Sequence, residues 1–218
     1  MEQKVISISG LIGSGKNTVA NLICELSPNL NFQRISFAAR LKDTIATLFH
    51  YDRDLLEGNS VLSREWRETQ DSYWYNKSDG KIKSPRWILQ QFGVEIKKLF
   101  CEDFWASIVE NEILNHLNQN FILTDTRFPD EIEMLKKHNT FFIEVKRGVQ
   151  PSWYTLAEDY NIGILMKKPE ILNSIPESEW RWIGKVKYHT IYNNGSLDDL
   201  KKNVFKTLLE KEIIINGN

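Results

Sequence analysis

The chain has 218 residues, with 28 Lys and Arg against 29 Asp and Glu and a formal net charge of −1, which leaves out the broad basic face of a nucleic-acid scaffold. Hydrophobic residues make up 41% and charged residues 26%, the proportions of a globular chain with a sizeable core rather than of a disordered one. Two cysteines, Cys24 and Cys101, fall in apolar helical patterns away from any zinc spacing, which predicts buried free thiols and a reducing compartment. Met1 leads straight into a strand-like segment without a signal-peptide core, and no apolar run reaches the roughly 20 residues a bilayer requires, so a soluble cytoplasmic protein is expected.

Val5 to Ser9 is a β-rich apolar run ending at Gly10, followed by a Gly-rich turn and a helical pattern from Thr18 to Leu26. Arg34 to Phe37 reads as a second strand. Leu41 to Phe49 reads as an amphipathic helix with Leu41, Ile45 and Leu48 on one face. From Asp52 to Ser84 the pattern is polar and weaker, helical and loop material standing off the core. Pro85 opens a helix from about Arg86 to Phe100, with Trp87, Leu89 and Phe92 as its core face. A further helix spans Asp103 to Leu117. Phe121 to Thr124 is a strand, Asp130 to His138 a helix and Thr140 to Val145 a strand; His189 to Tyr192 and Leu197 to Glu212 make a last strand and closing helix. Strands alternating with helices imply a mostly parallel sheet covered on both faces.

Gly10-Leu11-Ile12-Gly13-Ser14-Gly15-Lys16 fits G-x-x-x-x-G-K between a strand and a helix. Glycines let successive N–H groups turn inward toward phosphate oxygens, and the helix N-terminus adds positive potential. Lys16 would reach the β- and γ-phosphates of a nucleotide. The Ser or Thr that normally follows the lysine and holds Mg²⁺ is Asn17 here, whose amide oxygen is a weaker ligand, with Thr18 the next candidate. Asn76-Lys77-Ser78-Asp79 spells a guanine-specificity motif but lies in a polar region, and is read as a coincidental solvated loop.

Asp125-Thr126-Arg127 sits at the C-terminal end of a strand, the edge where open α/β sheets bind ligands. There an acid can hold Mg²⁺ through water and an arginine can clamp phosphate. Glu131, in the first turn of the next helix, is either a ligand contact or a partner of the helix dipole. Arg86, Gln90 and Gly93 recur at i, i+4, i+7, either as a nucleotide cradle or as the outer face of an ordinary amphipathic helix. Arg64, Arg67 and Asp71 are a surface ion-pair ladder or a phosphate-facing patch. Trp105 is a base-stacking candidate or packing, and Trp180-Arg181-Trp182 an interface or lid.

Taken together, GLIGSGKNTVA from Gly10, SFAARLKDTIATL from Ser36, SREWRETQDSYW from Ser63, SPRWILQQFGVE from Ser84, TDTRFPDEIE from Thr124 and IYNNGSLDDL from Ile191 resemble the phage-type deoxynucleoside monophosphate kinases, with Gln150 to Lys187 least similar. The resemblance implies a P-loop NTPase-type three-layer α/β/α fold with a mostly parallel sheet. It makes residues 1–218 one kinase domain, with a helical acceptor-binding insertion at about residues 52–118. It implies ATP bound at Gly10, Gly13, Ser14, Gly15, Lys16, Asn17 and Thr18, with Asn194 and Gly195 near the adenine. The acceptor monophosphate would meet Lys42, Arg67, Arg86, Gln90, Gly93, Trp105, Asp125, Arg127 and Glu131. Lys16, Asp125 and Arg127 would carry catalysis, with Mg²⁺ held by Asn17 and Asp125 through water. A homodimer is compatible with the family. The chain departs from the family at Asn17, where Asp is usual, at Val94, where Thr is usual, and at Lys97-Lys98, where an arginine is often seen. The implied reaction is transfer of the ATP γ-phosphoryl to a deoxynucleoside monophosphate. A kinase of another small phosphorylated acceptor, such as phosphomevalonate, and a non-catalytic nucleotide-binding module are the competing readings.

Overall fold

Five strands build the sheet, the three inner ones buried and the two edge strands more exposed. In this computed structural model, which describes residues 3–214, β1 (Val5–Ser9) has all five residues buried, as a strand covered on both faces must. The initiator segment at Met1 and Glu2 lies outside the described residues. The glycine turn leads into α1 (Lys16–Leu26), then β2 (Phe32–Arg34). Six helices follow: α2 (Ala39–Phe49), α3 (Arg53–Glu57), α4 (Val61–Glu68), α5 (Ser72–Lys77), α6 (Pro85–Leu99) and α7 (Phe104–Asn115). The chain then returns to β3 (Asn120–Leu123), α8 (Pro129–Lys136), β4 (Phe141–Lys146), α9 (Trp153–Asn161), α10 (Glu177–Trp180), β5 (His189–Tyr192) and α11 (Leu197–Glu210).

The strands lie in the order β2-β3-β1-β4-β5, and every pairing is parallel. Helices cover both sides of this five-stranded sheet. Register sets Ile6 of β1 beside Ile122 of β3 and Phe141 of β4. Ile6, Ile8, Val19, Ile23, Ile122, Ile143, Val204 and Leu208 form one core cluster, and α1 packs on α11. No helix among the described residues is long and apolar enough to cross a membrane.

The chain divides into two compact units, one made of the segment up to Ser36 together with that from Val109 onward, the other of Phe37–Ile108. The second has its own core, in which Ile45, Leu56, Ile88 and Leu89 are buried and Leu41, Phe49, Tyr51, Trp66, Trp87 and Phe92 pack around them. Edge-to-face and stacked rings tie Phe49, Tyr51, Trp66 and Trp74 together, with centroids 5.0–5.5 Å apart, the offset geometry aromatic quadrupoles favour. Side-chain caps start three of its short helices: Asp52, Ser60 and Asp71 each accept from backbone N–H groups of the turn that follows.

Several expectations are corrected. The second strand runs over Phe32–Arg34 rather than Arg34 to Phe37, because it is an edge strand whose register is set by β3, with Arg34 opposite Ile122. Leu48 is exposed, so the packed face of α2 is the buried Ile45 with Leu41, Ala46 and Phe49 around it. Cys101 is exposed in the turn between α6 and α7, and Cys24 only half-buried, so neither is a core thiol. Trp180 and Trp182 are 3% and 1% exposed, which makes them core rather than an interface or lid. The 150–187 stretch contributes α9 and α10, whose packing was not apparent from periodicity. Tyr154 of α9 hydrogen-bonds to the buried Glu144 of β4, and Lys146 covers the Tyr154 ring at 4.8 Å.

Ile8 is fully buried at the centre of the sheet. Ile8→Ala is expected to lower unfolding stability by about 2–5 kcal/mol, measured by urea denaturation. A loss under about 1 kcal/mol would mean that the site collapses around the cavity.

Candidate active site

The glycine loop closes over itself at two crowded points. Gly10 has φ +151°, and a Cβ there would lie 2.5 Å from the Val145 carbonyl oxygen and 2.7 Å from Ser14 Oγ. Gly15 has φ +101°, and a Cβ there would run into the Asn193 amide. Asn193 Nδ2 donates to the Ser14 carbonyl at 2.8 Å, so the segment after β5 ties down the loop. The residue carrying that role lies next to Asn194, the residue singled out from the sequence. Asn194 itself accepts from the Gly148 N–H at 2.7 Å. Ser14 Oγ is buried and has no hydrogen-bond partner among the described residues, a donor available to an oxyanion within the loop.

α1 begins at Lys16 with no acidic residue in its first turn, so its first N–H groups and its dipole present positive potential. The Lys16 ammonium donates to the carbonyls of Gly10 at 2.8 Å and Leu11 at 3.1 Å. Burial, then the neighbouring Arg127 guanidinium, lower its pKa to about 8, against Glu179 and Asp125, which raise it. At neutral pH the ammonium is charged, and a second cation stands close to it.

Asp125 and Arg127 reach this region from the segment after β3. That segment is laced to β1: Ser7 Oγ donates to Thr126 Oγ1 at 2.9 Å and Ser9 Oγ to the Thr126 carbonyl at 3.4 Å. Asp125 Oδ2 accepts from Ser36 Oγ at 2.6 Å. Asn17 Oδ1 accepts from Thr124 Oγ1 at 2.9 Å, and the Asn17 carbonyl accepts from Arg34 at 2.9 Å. Arg127 is exposed. Glu131 is buried, and its Oε2 accepts from the N–H groups of Arg127 at 2.6 Å and Phe128 at 2.9 Å. It therefore sets the turn that carries Arg127, the third-position acid of a helix reaching back over its own start.

Within the helical unit, a cavity of about 700 Å³ is lined by Gln70, Tyr75, Lys83, Arg86, Trp87 and Gln90 among others. Arg86 pairs with Glu68 at 2.7 Å. Arg67 lies over Gly58 and donates to the Leu56 carbonyl at 3.4 Å; burial, then Arg86, lower its pKa. Lys42 is engaged by Glu57 at 2.6 Å. A Cβ on Gly93 would lie 3.3 Å from Leu41, so the glycine also permits close packing of α6 on α2. Trp105 Nε1 donates to the Gly93 carbonyl at 2.8 Å and its ring meets Phe104 edge-on, which fixes the indole against α6. Asp71 caps α5 and accepts from Tyr51 at 2.6 Å, so the Arg64-Arg67-Asp71 stripe is not one surface ladder.

Among the described residues no three His, Cys, Asp or Glu side chains gather as a metal site. The oxygen donors of Asn17 and Asp125 suit a hard cation that keeps most of its waters.

A parallel sheet ordered β2-β3-β1-β4-β5, with a G-x-x-x-x-G-K loop between its central strand and the first helix, defines a P-loop α/β protein. Over 181 residues the chain is 26% identical to the deoxynucleoside-5'-monophosphate kinase of Escherichia phage T5, a match covering 62% of this chain and 72% of that protein. No protein-family model matches. Solved structures with a similar chain path include TT1252 from Thermus thermophilus (18% identity, 97% and 98% of the two chains, TM-score 0.44). Dephospho-CoA kinase from Campylobacter jejuni (16%, 95% and 97%, 0.43) and shikimate kinase from Aquifex aeolicus (12%, 98% and 99%, 0.42) are two more. At these values the likeness carries no functional information.

Glu131 supplies a test of the Arg127 turn. Burial pushes its carboxyl up from 4.5 to about 8, against the two N–H groups, which favour the anion. A folded-state pKa above the unfolded one means that stability present below the unfolded value is lost as pH rises through the folded value. Glu131→Gln keeps the acceptor oxygen but does not titrate. Its urea midpoint is expected to gain on that of the wild type between pH 5 and pH 8. A constant difference across that interval would mean that the carboxylate is ionised throughout.

Proposed function

We propose that this chain is an ATP-dependent kinase that transfers the γ-phosphoryl group to the 5′-phosphate of a deoxynucleoside monophosphate. The observation that carries the reading is the glycine loop between β1 and α1, with the Lys16 ammonium laid across it onto the Gly10 and Leu11 carbonyls and the turn that carries Asp125 and Arg127 braced on β1 through Thr126. Two cations beside a helix N-terminus are mutually repulsive unless an anion joins them, and the charge developed by a transferring phosphoryl group is such an anion.

The acceptor class draws on two supports. One is the similarity to the phage T5 protein, whose name gives a deoxynucleoside 5'-monophosphate as its substrate. The other is the lining of an open hollow on the helical unit, with Lys83 for a phosphate beside the Arg86–Glu68 pair, Tyr75 and Trp87 as aromatic faces, and Gln70 and Gln90 as amides for a base edge. A baseless acceptor such as phosphomevalonate would leave the rings and amides without partners. We assign the helical unit, Phe37–Ile108, to acceptor binding.

In this reaction an acceptor phosphate oxygen bonds to the γ-phosphorus as the bond to the β–γ bridging oxygen breaks, giving ADP and a deoxynucleoside diphosphate. The acceptor phosphate is already nucleophilic at neutral pH, so Asp125 needs no role as a base. The loop amides and Lys16 grip the donor, and Arg127 neutralises the transferring group. Asn17 Oδ1 and the Asp125 carboxylate would hold Mg²⁺ through water, oriented by Thr124 and Ser36. The metal would supply charge neutralisation on the β- and γ-oxygens.

ADP release from ATP and Mg²⁺, run against a panel of deoxy- and ribonucleoside monophosphates, tests the reading. Turnover is expected with a subset of the deoxy forms, and Lys16→Ala is expected to cost at least about 100-fold in kcat while remaining folded. Silence across the panel with ATP binding intact would assign a different acceptor or a binding role. Arg127→Ala is expected to lose about 2–4 kcal/mol of transition-state stabilisation, read from kcat/KM for the acceptor. A change confined to the ATP parameters would move Arg127 to the donor alone.

A further inference from the structure

One contact in the glycine loop belongs to neither the motif nor the resemblance. The Ile12 N–H, in the middle of the Gly10–Lys16 loop, donates to Glu179 Oε2 at 3.1 Å. Backbone amides of such a loop are anion ligands, and here a carboxylate of the chain itself accepts from one of them on the exposed side of the loop. The same carboxylate is near enough to Lys16 to be among the charges that act on its ammonium. A residue outside the motif therefore bonds to one backbone amide of the loop and acts through its charge on the Lys16 ammonium.

Glu179 is held there by the core beneath it. It precedes Trp180, which is 3% exposed and whose indole N–H donates to the Ile175 carbonyl at 3.3 Å. Asn161 Nδ2 donates to the carbonyls of Trp180 at 2.7 Å and Ile183 at 2.9 Å, and Lys185 ties Asn161 in turn at 2.7 Å. Lys168 stands 5.1 Å over the Trp180 ring. The other acid of α10, Glu177, pairs with Arg181 at 3.1 Å. Of the two, Glu179 alone bonds to the loop.

We infer that Glu179 is an internal anion of the phosphate loop, which a nucleotide polyphosphate must displace from the Ile12 N–H, and whose charge thereby weakens nucleotide binding and speeds release. The inference rests on the phosphate-loop reading and adds to it a residue that sets nucleotide affinity. A fixed carboxylate beside an incoming polyphosphate is a like-charge juxtaposition. Its return to the amide favours departure of ADP, and product release is the slow step of many kinase-like cycles.

The test is equilibrium binding of inorganic tripolyphosphate and of ADP to the full chain, wild type against Glu179→Gln, with the ADP dissociation rate followed by stopped flow. Glutamine preserves shape and an acceptor oxygen while removing the charge. The expected result is binding of both probes tighter by about tenfold, slower ADP release, and a smaller gain at high salt. Unchanged or weaker binding by Glu179→Gln, with wild type binding normally, would overturn the inference and make Glu179 a brace for the loop. That result would leave the phosphate-loop reading standing. Failure of both proteins to bind tripolyphosphate would overturn the loop reading and the inference together. A gain in affinity is an outcome that structural damage does not produce.

Discussion

The approach of Gly10 to the Val145 carbonyl is the constraint on which the site depends. With a Cβ of any kind the turn after β1 would collide with β4 at 2.5 Å, and the loop could not fold back over the end of the sheet. Because the turn is that tight, α1 starts within a few residues of the strand and points its free N–H groups into the loop. Asn193 secures the other side through the Ser14 carbonyl. Lys16 lies across the loop, where its ammonium donates to the Gly10 and Leu11 carbonyls.

Around that turn the buried polar groups of the sheet edge serve position. Ser7 and Ser9 of β1 would be costly in a core if unpaired, and both are satisfied by Thr126. That pairing fixes the stretch from Thr124 to Arg127 against β1, and Glu131 fixes its far end through two backbone N–H groups. The acid and the arginine at the strand end are therefore carried on a braced turn. Mispositioning by a fraction of an ångström is what phosphoryl transfer tolerates least.

The helical unit solves a different problem. Its helices are short, three of them eight residues or fewer, and short helices are marginal alone. Side-chain caps and a cluster of aromatic rings around Ile45, Leu56, Ile88 and Leu89 stabilise them. Ion pairs such as Lys42 with Glu57 occupy cations that the sequence offered as phosphate ligands. Gly93 and Trp105 belong to this packing too, since one makes room for Leu41 and the other donates to the backbone of the first.

The strands, the long helices and the glycine loop were legible in the chain because each rests on local rules: β-rich runs buried on both faces, 3.6-residue periodicity, proline at a helix start, and glycine where a backbone must turn. The resemblance extended this to the class of chemistry. What periodicity could not reveal depended on partners far away in sequence. The register of β2 comes from β3, not from its own apolar residues. The exposure of Cys101 follows from where α6 stops. The roles of Gly93, Trp105 and Glu131 depend on which atoms lie opposite them. Glu179 and Asn193 reach the loop across 167 and 179 residues, and no spacing rule links such positions. By itself the sequence determined the elements and the phosphate loop, because those are short-range consequences of side-chain shape and backbone freedom. The tertiary structure alone decided which polar groups are already satisfied and which face the loop, because a hydrogen bond or an ion pair is made by neighbours in space.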